Sequence, residues 1–171
     1  MLIESNTQKF LAFIFKYPTT GFSIREVAEE INISPPTASY IAKKLARMAL
    51  IKLQRERTQY KVFGNIENEK FKDIKRIFNI FSLLSLKDFL VKELNPNTIV
   101  VYGSYSIGED TEDSDIDIFV NSAKRKNTDL TKFERQLARN IHIIVERFDR
   151  LPDELKSSIL NGVILYGVIG L

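Results

Sequence analysis

Gly103-Ser104 and, after ten intervening residues, Asp115-Ile116-Asp117 are the residues whose types and spacing point most directly to chemistry. A strand that ends in Gly-Ser and opens a helix lets phosphate oxygens approach backbone N–H groups, with no side chain on Gly103 in the way and the Ser104 hydroxyl beside them. Residues two apart on a strand share a face, so Asp115 and Asp117 are expected to point together while Ile116 and Ile118 enter the core. Paired carboxylates bind magnesium. The ion in turn can bridge triphosphate oxygens, neutralise developing charge and orient an attacking oxygen. Each of these residues alone is an ordinary loop residue; the spacing and the strands on either side join them into one site.

The elements that must hold them are legible nearby. Thr98 to Tyr102, Ile116 to Val120 and Asn140 to Val145 are β-branched or apolar runs with helical stretches between and after them, the pattern of an α/β (α+β) unit with a small mixed sheet. The acidic run Glu109 to Asp113 reads as a solvated turn between the two halves of the motif.

This stretch resembles the nucleotidyltransferase superfamily that includes DNA polymerase β, whose motif is a hydrophobic strand, Gly-Ser, about ten residues and then Asp-x-Asp. The likeness covers roughly residues 95 to 170 and is greatest to the minimal members of bacteria and archaea; Val163 to Gly167 looks like the strand that closes those small domains. The resemblance implies that Gly103 and Ser104 hold a nucleoside triphosphate, ATP being the favoured one. It further implies that Asp115 and Asp117 hold the catalytic Mg2+ and that a nucleoside monophosphate is transferred. Minimal members often act as antitoxins that adenylylate a small toxin ribonuclease, so an acceptor hydroxyl on a partner protein is an expectation by resemblance. One departure stands out. The family usually supplies a third carboxylate from the next core strand, and Ile141 to Val145 offers His142 there, with Glu146 only at its end. His142 as weak ligand or base, Glu146 reaching round, and nucleotide binding without transfer all stay open.

Ahead of this unit the chain reads differently. Glu4 to Tyr17 repeats apolar residues at helical spacing through Phe10, Leu11, Phe13, Ile14 and Tyr17, and Pro18 stops it. Ser23 and Glu26 form a capping box for a second helix; Ser34 and Pro35 open a third, with Ala38, Ile41, Ala42, Leu45 and Met48 inward. Leu50 to Gln54 and Gln59 to Phe63 flank a polar tip and read as a hairpin. The order predicts a winged helix-turn-helix, and Gly21 to Val62 looks like winged-helix regulators. The outer face of the third helix, Thr37, Ser39, Tyr40, Lys43, Lys44 and Arg47, together with Arg55, Arg57 and Lys61 of the wing, is the expected contact to double-stranded DNA. Cations there would release counterions from phosphate, and the short polar residues near the helix start would meet base edges. An ordinary solvated basic face, or a protein-contact module, is the competing reading.

Charge supports a division of labour. Residues 1–66 hold ten Lys/Arg against five Asp/Glu, and residues 97–171 nine against twelve, behind a net charge of only +3. The expected domains are a winged helix over 1–66, a helical connector over 67–95 and a minimal nucleotidyltransferase over 96–171. The connector, Glu67 to Leu94, shows apolar residues through Phe71, Ile74, Ile77, Phe78, Phe81, Leu84 and Phe89, with a break expected near Ser82 or Ser85. Its apolar face is too broad for a solvated linker, so it is expected to pack on a domain or to pair in a homodimer. The absence of cysteine rules out thiolate chemistry and fits a cytoplasmic location; nothing at the N-terminus reads as an address signal, and no apolar run is long enough to span a membrane. Two functions follow as expectations: a DNA-binding protein that transfers a nucleotide, and a transcriptional regulator whose second domain, without catalysis, senses nucleotide or serves as a scaffold.

Overall fold

The computed structural model describes residues 5–56, 59–124 and 128–169. The chain divides into two compact units, Met1–Lys75 and Arg76–Leu171. That division falls inside the segment 67–95 read from sequence as a connector.

In the first unit α1 spans Asn6–Lys16, α2 Ile24–Glu30 and α3 Pro35–Arg47. Their starts are chemically determined. Ser5, Ser23 and Ser34 each accept from the backbone N–H three residues on, and Gln8 and Glu26 return the bond to Ser5 and Ser23, closing two capping boxes. Asn32, at φ 54, makes the left-handed turn that reverses the chain between α2 and α3. Strands β2 (Ile51–Glu56) and β3 (Gln59–Gly64) form the expected hairpin. A two-residue strand β1 (Phe22–Ser23), not foreseen, pairs with β3 to complete a sheet of order β1-β3-β2. Phe10, Ile14, Val27, Ala38, Ile41, Ala42 and Leu45 are buried between helices and sheet. Met48, expected inward, is 43% exposed, because α3 ends at Arg47 and Met48 is its C-cap.

The apolar segment after the hairpin is two helices. α4 (Glu69–Ser82) and α5 (Leu84–Leu94) meet at Leu83, and the αL residue Asn95 followed by Pro96 ends α5. Ile77 and Phe81 of α4 and Leu84 of α5 remain exposed.

The second unit is built on a mixed four-stranded sheet of order β6-β5-β4-β7, where β4 is Thr98–Tyr102, β5 Ile116–Asn121, β6 Ile141–Glu146 and β7 Val163–Gly167. β5 runs antiparallel to β4 and parallel to β6. Between them lie α6 (Gly103–Ile107), α7 (Thr131–Leu137), a 3-10 turn at Phe148–Arg150 and α8 (Asp153–Leu160). One face buries Leu86, Leu90 and Leu94 of α5 and Phe133 and Leu137 of α7 against Ile99, Val101, Ile116, Ile118 and Val120. The other sets Leu151 and Ile159 on Val100, Tyr102 and Phe119. β4 is therefore buried at every residue, as a central strand covered on both faces must be, and its run of apolar residues reflects that. Each such aliphatic side chain contributes about 1.5–3 kcal/mol by leaving water. This is the α+β arrangement expected of the sequence.

Candidate functional site

The motif residues meet at one end of this sheet. Gly103 follows directly on β4 and opens α6 with φ +70, a conformation natural to glycine and strained for other residues. A Cβ at this position would lie 2.7 Å from Oδ2 of Asp117, so the backbone of the Gly-Ser turn rests almost on the carboxylate. That approach follows from the β4–β5 register, in which Tyr102 stands opposite Asp117. Ser104 is half-buried in the first turn of α6.

Asp115 stands one residue ahead of β5 and is exposed; Asp117 is within the strand, half-buried. Different partners hold them. The Asn140 side-chain amide donates to Oδ1 of Asp115 at 3.1 Å, while the Asn140 carbonyl accepts from Ile116 N–H at 2.9 Å. His142, in register with Asp117 across the parallel β5–β6 pair, brings Nδ1 to 3.3 Å from Asp117 Oδ1. Its side chain is 62% exposed, so the imidazole is at the surface of the site and not in the core. Burial pushes the Tyr102 phenol above its ordinary range, and the negative charge of Asp117 acts in the same direction. Asn140 and Tyr102 were missed in the sequence. The signal for Tyr102 was available, since it ends β4 immediately before Gly103.

Glu146 does not belong to this site. It pairs with Asn121 at the far end of the same two strands, four residues beyond His142, a distance of about 13 Å at the rise of a β-strand. There its carboxylate accepts from Arg147 N–H at 2.9 Å and lies 3.9 Å from Arg150. The expectation that it could reach round to the aspartates is overturned by strand length. The acidic run is corrected as well: Asp110 is buried, ion-paired with Arg139 and hydrogen-bonded to Asn79, while Glu109 and Asp113 are exposed.

Among the described residues no group of three His, Asp or Glu side chains comes together that could hold a metal ion. The oxygen donors present, Asp115 and Asp117, suit a hard cation that keeps waters and takes its other ligands from a phosphate. A pocket of about 460 Å3 lies between the loop leading into β5 and the end of α7, lined by Asp113, Ser114, Arg135 and Asn140 among others; neither Asp115 nor Asp117 lines it. A larger groove, about 1020 Å3, lies at the opposite end of the sheet between Asn97, Asn121, Arg147 and Lys156. It contains neither motif, and its size alone gives it no chemistry.

In the first unit the expected outer face of α3 is outward. Tyr40, Lys43, Lys44 and Arg47 are exposed, Thr37 and Ser39 half-buried, and Arg55 is exposed on the hairpin. Thr37 is partly engaged in its own cap, its hydroxyl 2.8 Å from that of Ser34. Arg57 lies outside the described residues. Between the start of α3 and the hairpin is a hollow of about 540 Å3, lined by Arg25, Pro35, Ser39, Gln59 and Tyr60 among others; Arg25, Gln59 and Tyr60 were not singled out in the sequence.

Comparison with known proteins bears on the second unit. No curated protein matches the chain. Residues 85–168 match the family model described as polymerase beta, nucleotidyltransferase. The match takes in both halves of the Gly-Ser and Asp-x-Asp motif, all four strands of the sheet and most of α5. Those residues, most of the second unit, are therefore similar to polymerase beta-type nucleotidyltransferases, a likeness that supports a nucleotidyl-transfer role in general.

Proposed function

We propose that the chain is a DNA-binding nucleotidyltransferase: the first unit holds double-stranded DNA through α3 and the hairpin, and the second binds Mg-ATP and passes AMP to a hydroxyl of a partner protein. The observation that carries the second half is the close approach of Gly103 to the Asp117 carboxylate, which brings the backbone of the Gly-Ser turn and the acid to one place. Gly103 and Ser104 would hold the triphosphate; Asp115 and Asp117 would hold Mg2+, which when bound would neutralise phosphate charge. In the transfer the acceptor oxygen bonds to the α-phosphorus, the bond from that phosphorus to the bridging oxygen breaks, and pyrophosphate leaves with the electron pair. The hydroxyl proton goes to His142, the basic group beside Asp117. A small toxin ribonuclease is the acceptor we favour, with DNA binding serving autoregulation and a homodimer matching two half-sites.

A second reading has its own support. His142 takes the register position opposite Asp117, and no third carboxylate joins the pair among the described residues. On that reading the domain senses nucleotide and modulates DNA binding without transfer. Calorimetric titration of Mg-ATP into the wild type and the Asp115→Asn/Asp117→Asn variant tests both. Magnesium-dependent binding lost in the variant supports the site, and absence of binding by either protein sinks both readings. Release of pyrophosphate with an acceptor then decides for transfer over sensing.

A further inference from the structure

Asp110 lies in the chain between Ser104 and Asp115, and Arg139 lies directly before Asn140, the residue that bonds Asp115. Their side chains are 1% and 2% exposed, with Arg139 Nη2 3.5 Å from Asp110 Oδ2. Asn79 of α4 donates from one amide nitrogen to Asp110 Oδ1 at 2.7 Å and to the Tyr105 carbonyl at 2.9 Å. The Tyr105 hydroxyl in turn lies 2.9 Å from Ser82 Oγ. Arg139 also donates to the Ala138 carbonyl at 2.9 Å, at a residue with φ 55. Four separate pieces of chain converge here: α4, the helix that begins with the Gly-Ser turn, the loop leading into β5, and the loop leading into β6.

We propose that Asp110, Arg139 and Asn79 are positioning residues that fix the Gly103-Ser104 turn relative to Asp115 and Asp117. The proposal rests on the nucleotide reading given above. A buried ion pair is a poor source of net stability, because desolvating two charges offsets most of their attraction. What it supplies is a fixed geometry, since each charge must keep its partners. The loop between the motif halves contains no strand, and its own bonds are local, from Glu109 N–H to the Ser104 carbonyl and from Thr111 N–H to Ser114 Oγ; those made by Asp110 tie it to distant segments. Asn79 ties the end of α6 to Asp110, Asp110 ties that loop to Arg139, and Arg139 places Asn140 against Asp115. Slippage at any of these ties moves one half of the motif against the other.

The test uses the full chain with Asp110→Leu and Arg139→Met together, an apolar replacement of the kind that commonly preserves stability. Melting temperature, hydrogen exchange and Mg-ATP affinity are measured on the same preparation. Exchange should rise in peptides covering 103–116 and 138–142 but not in those from α5, and the Mg-ATP Kd should rise about 10- to 100-fold, the loss expected of a displaced site. A folded variant with wild-type local exchange, or with wild-type affinity, overturns the proposal, since a purely structural pair would alter the melting temperature alone. Should the double variant not fold, Asn79→Ala, which keeps the ion pair, is read by the same two measurements and the same criteria. Wild-type protein that binds no Mg-ATP defeats the nucleotide reading; the exchange measurement still decides whether this network holds the two loops.

Discussion

Gly103→Ala is the substitution whose consequences the geometry specifies most fully. Two costs arise. The backbone at φ +70 is unfavourable for alanine by about 1–2 kcal/mol, and the new methyl would meet Asp117 Oδ2 at 2.7 Å, closer than real carbon–oxygen contacts allow. The atom in the way is the far end of a side chain, so the carboxylate should swing aside and the fold survive. A loss of about 1–2 kcal/mol in a unit of this size lowers its melting temperature by roughly 4–16 °C. The swing moves an oxygen proposed to hold Mg2+ and breaks the contact with His142, so Mg-ATP affinity should fall at least about tenfold, or about 1.4 kcal/mol. His142 is the chain's single histidine, so its ring signals in an NMR spectrum report this one contact without overlap. The assay is calorimetric titration of Mg-ATP together with those ring signals, with duplex binding as a control expected not to change. Affinity within about twofold of wild type together with unmoved His142 signals would refute the reasoning, because the turn and the carboxylate would then be independent.

Other perturbations test neighbouring parts. His142→Asp places a carboxylate in register with Asp117; it should cost about 1 kcal/mol without metal at this exposed position, and raise pyrophosphate release by about 10²-fold if a third acid limits transfer. Unchanged release would place the limit elsewhere. Tyr105 is pushed up to about 12, chiefly by burial, from an ordinary value of 10.0. The folded state thus keeps the proton longer than the unfolded chain: the associated stability is fully present below pH 10 and is lost as the pH rises towards 12, by about 2–3 kcal/mol in all. Denaturant melts between these pH values should show that extra decline in the wild type and not in Tyr105→Phe; equal slopes would contradict it. Replacing Lys43, Lys44 and Arg47 by alanine should reduce the salt slope of duplex binding by up to about 2.7, at 0.9 per phosphate contact. A wild-type slope would remove α3 from the interface.

The parts of the molecule governed by local rules were legible in the sequence. The caps of α2 and α3 follow from Ser23, Glu26 and Ser34, and β4 and β7 have the bounds their apolar runs suggested, because both strands are delimited by turn residues. What was not legible depends on register and on long-range burial. Whether Glu146 could reach the aspartates depends on which end of β6 faces Asp117, and that follows from a parallel pairing between segments some 25 residues apart. Asp110 looked like one more solvated acid because its partners, Asn79 and Arg139, are about 30 residues away on either side. Met48 followed the apolar spacing of α3 yet lies beyond its end, where helical periodicity no longer sets direction.

The register of β5 against β6 also explains why one residue carries so much of the question about activity. Side chains alternate across a sheet, so among β6 residues the one paired with Asp117 shares its face at the closest approach, and that residue is His142. The next on that face, Ile144, pairs with Phe119 and packs against the apolar cluster beneath it, while Glu146 stands at the far end. A third ligand from this strand could therefore come only from position 142. An imidazole there is 3.3 Å from a carboxylate it can hydrogen-bond, and it contributes no negative charge towards a divalent cation. Hard cations of the magnesium type are held by oxygen, so the histidine is better placed to move a proton than to bind the ion. The two proposed functions thus differ at one side chain: transfer requires a group at position 142 that can accept the hydroxyl proton, as His142 or an aspartate there could, whereas sensing requires only that Asp115 and Asp117 keep their places. His142→Ala separates them, since it should leave Mg-ATP affinity near the wild-type value under either function and abolish pyrophosphate release only if the domain is a transferase.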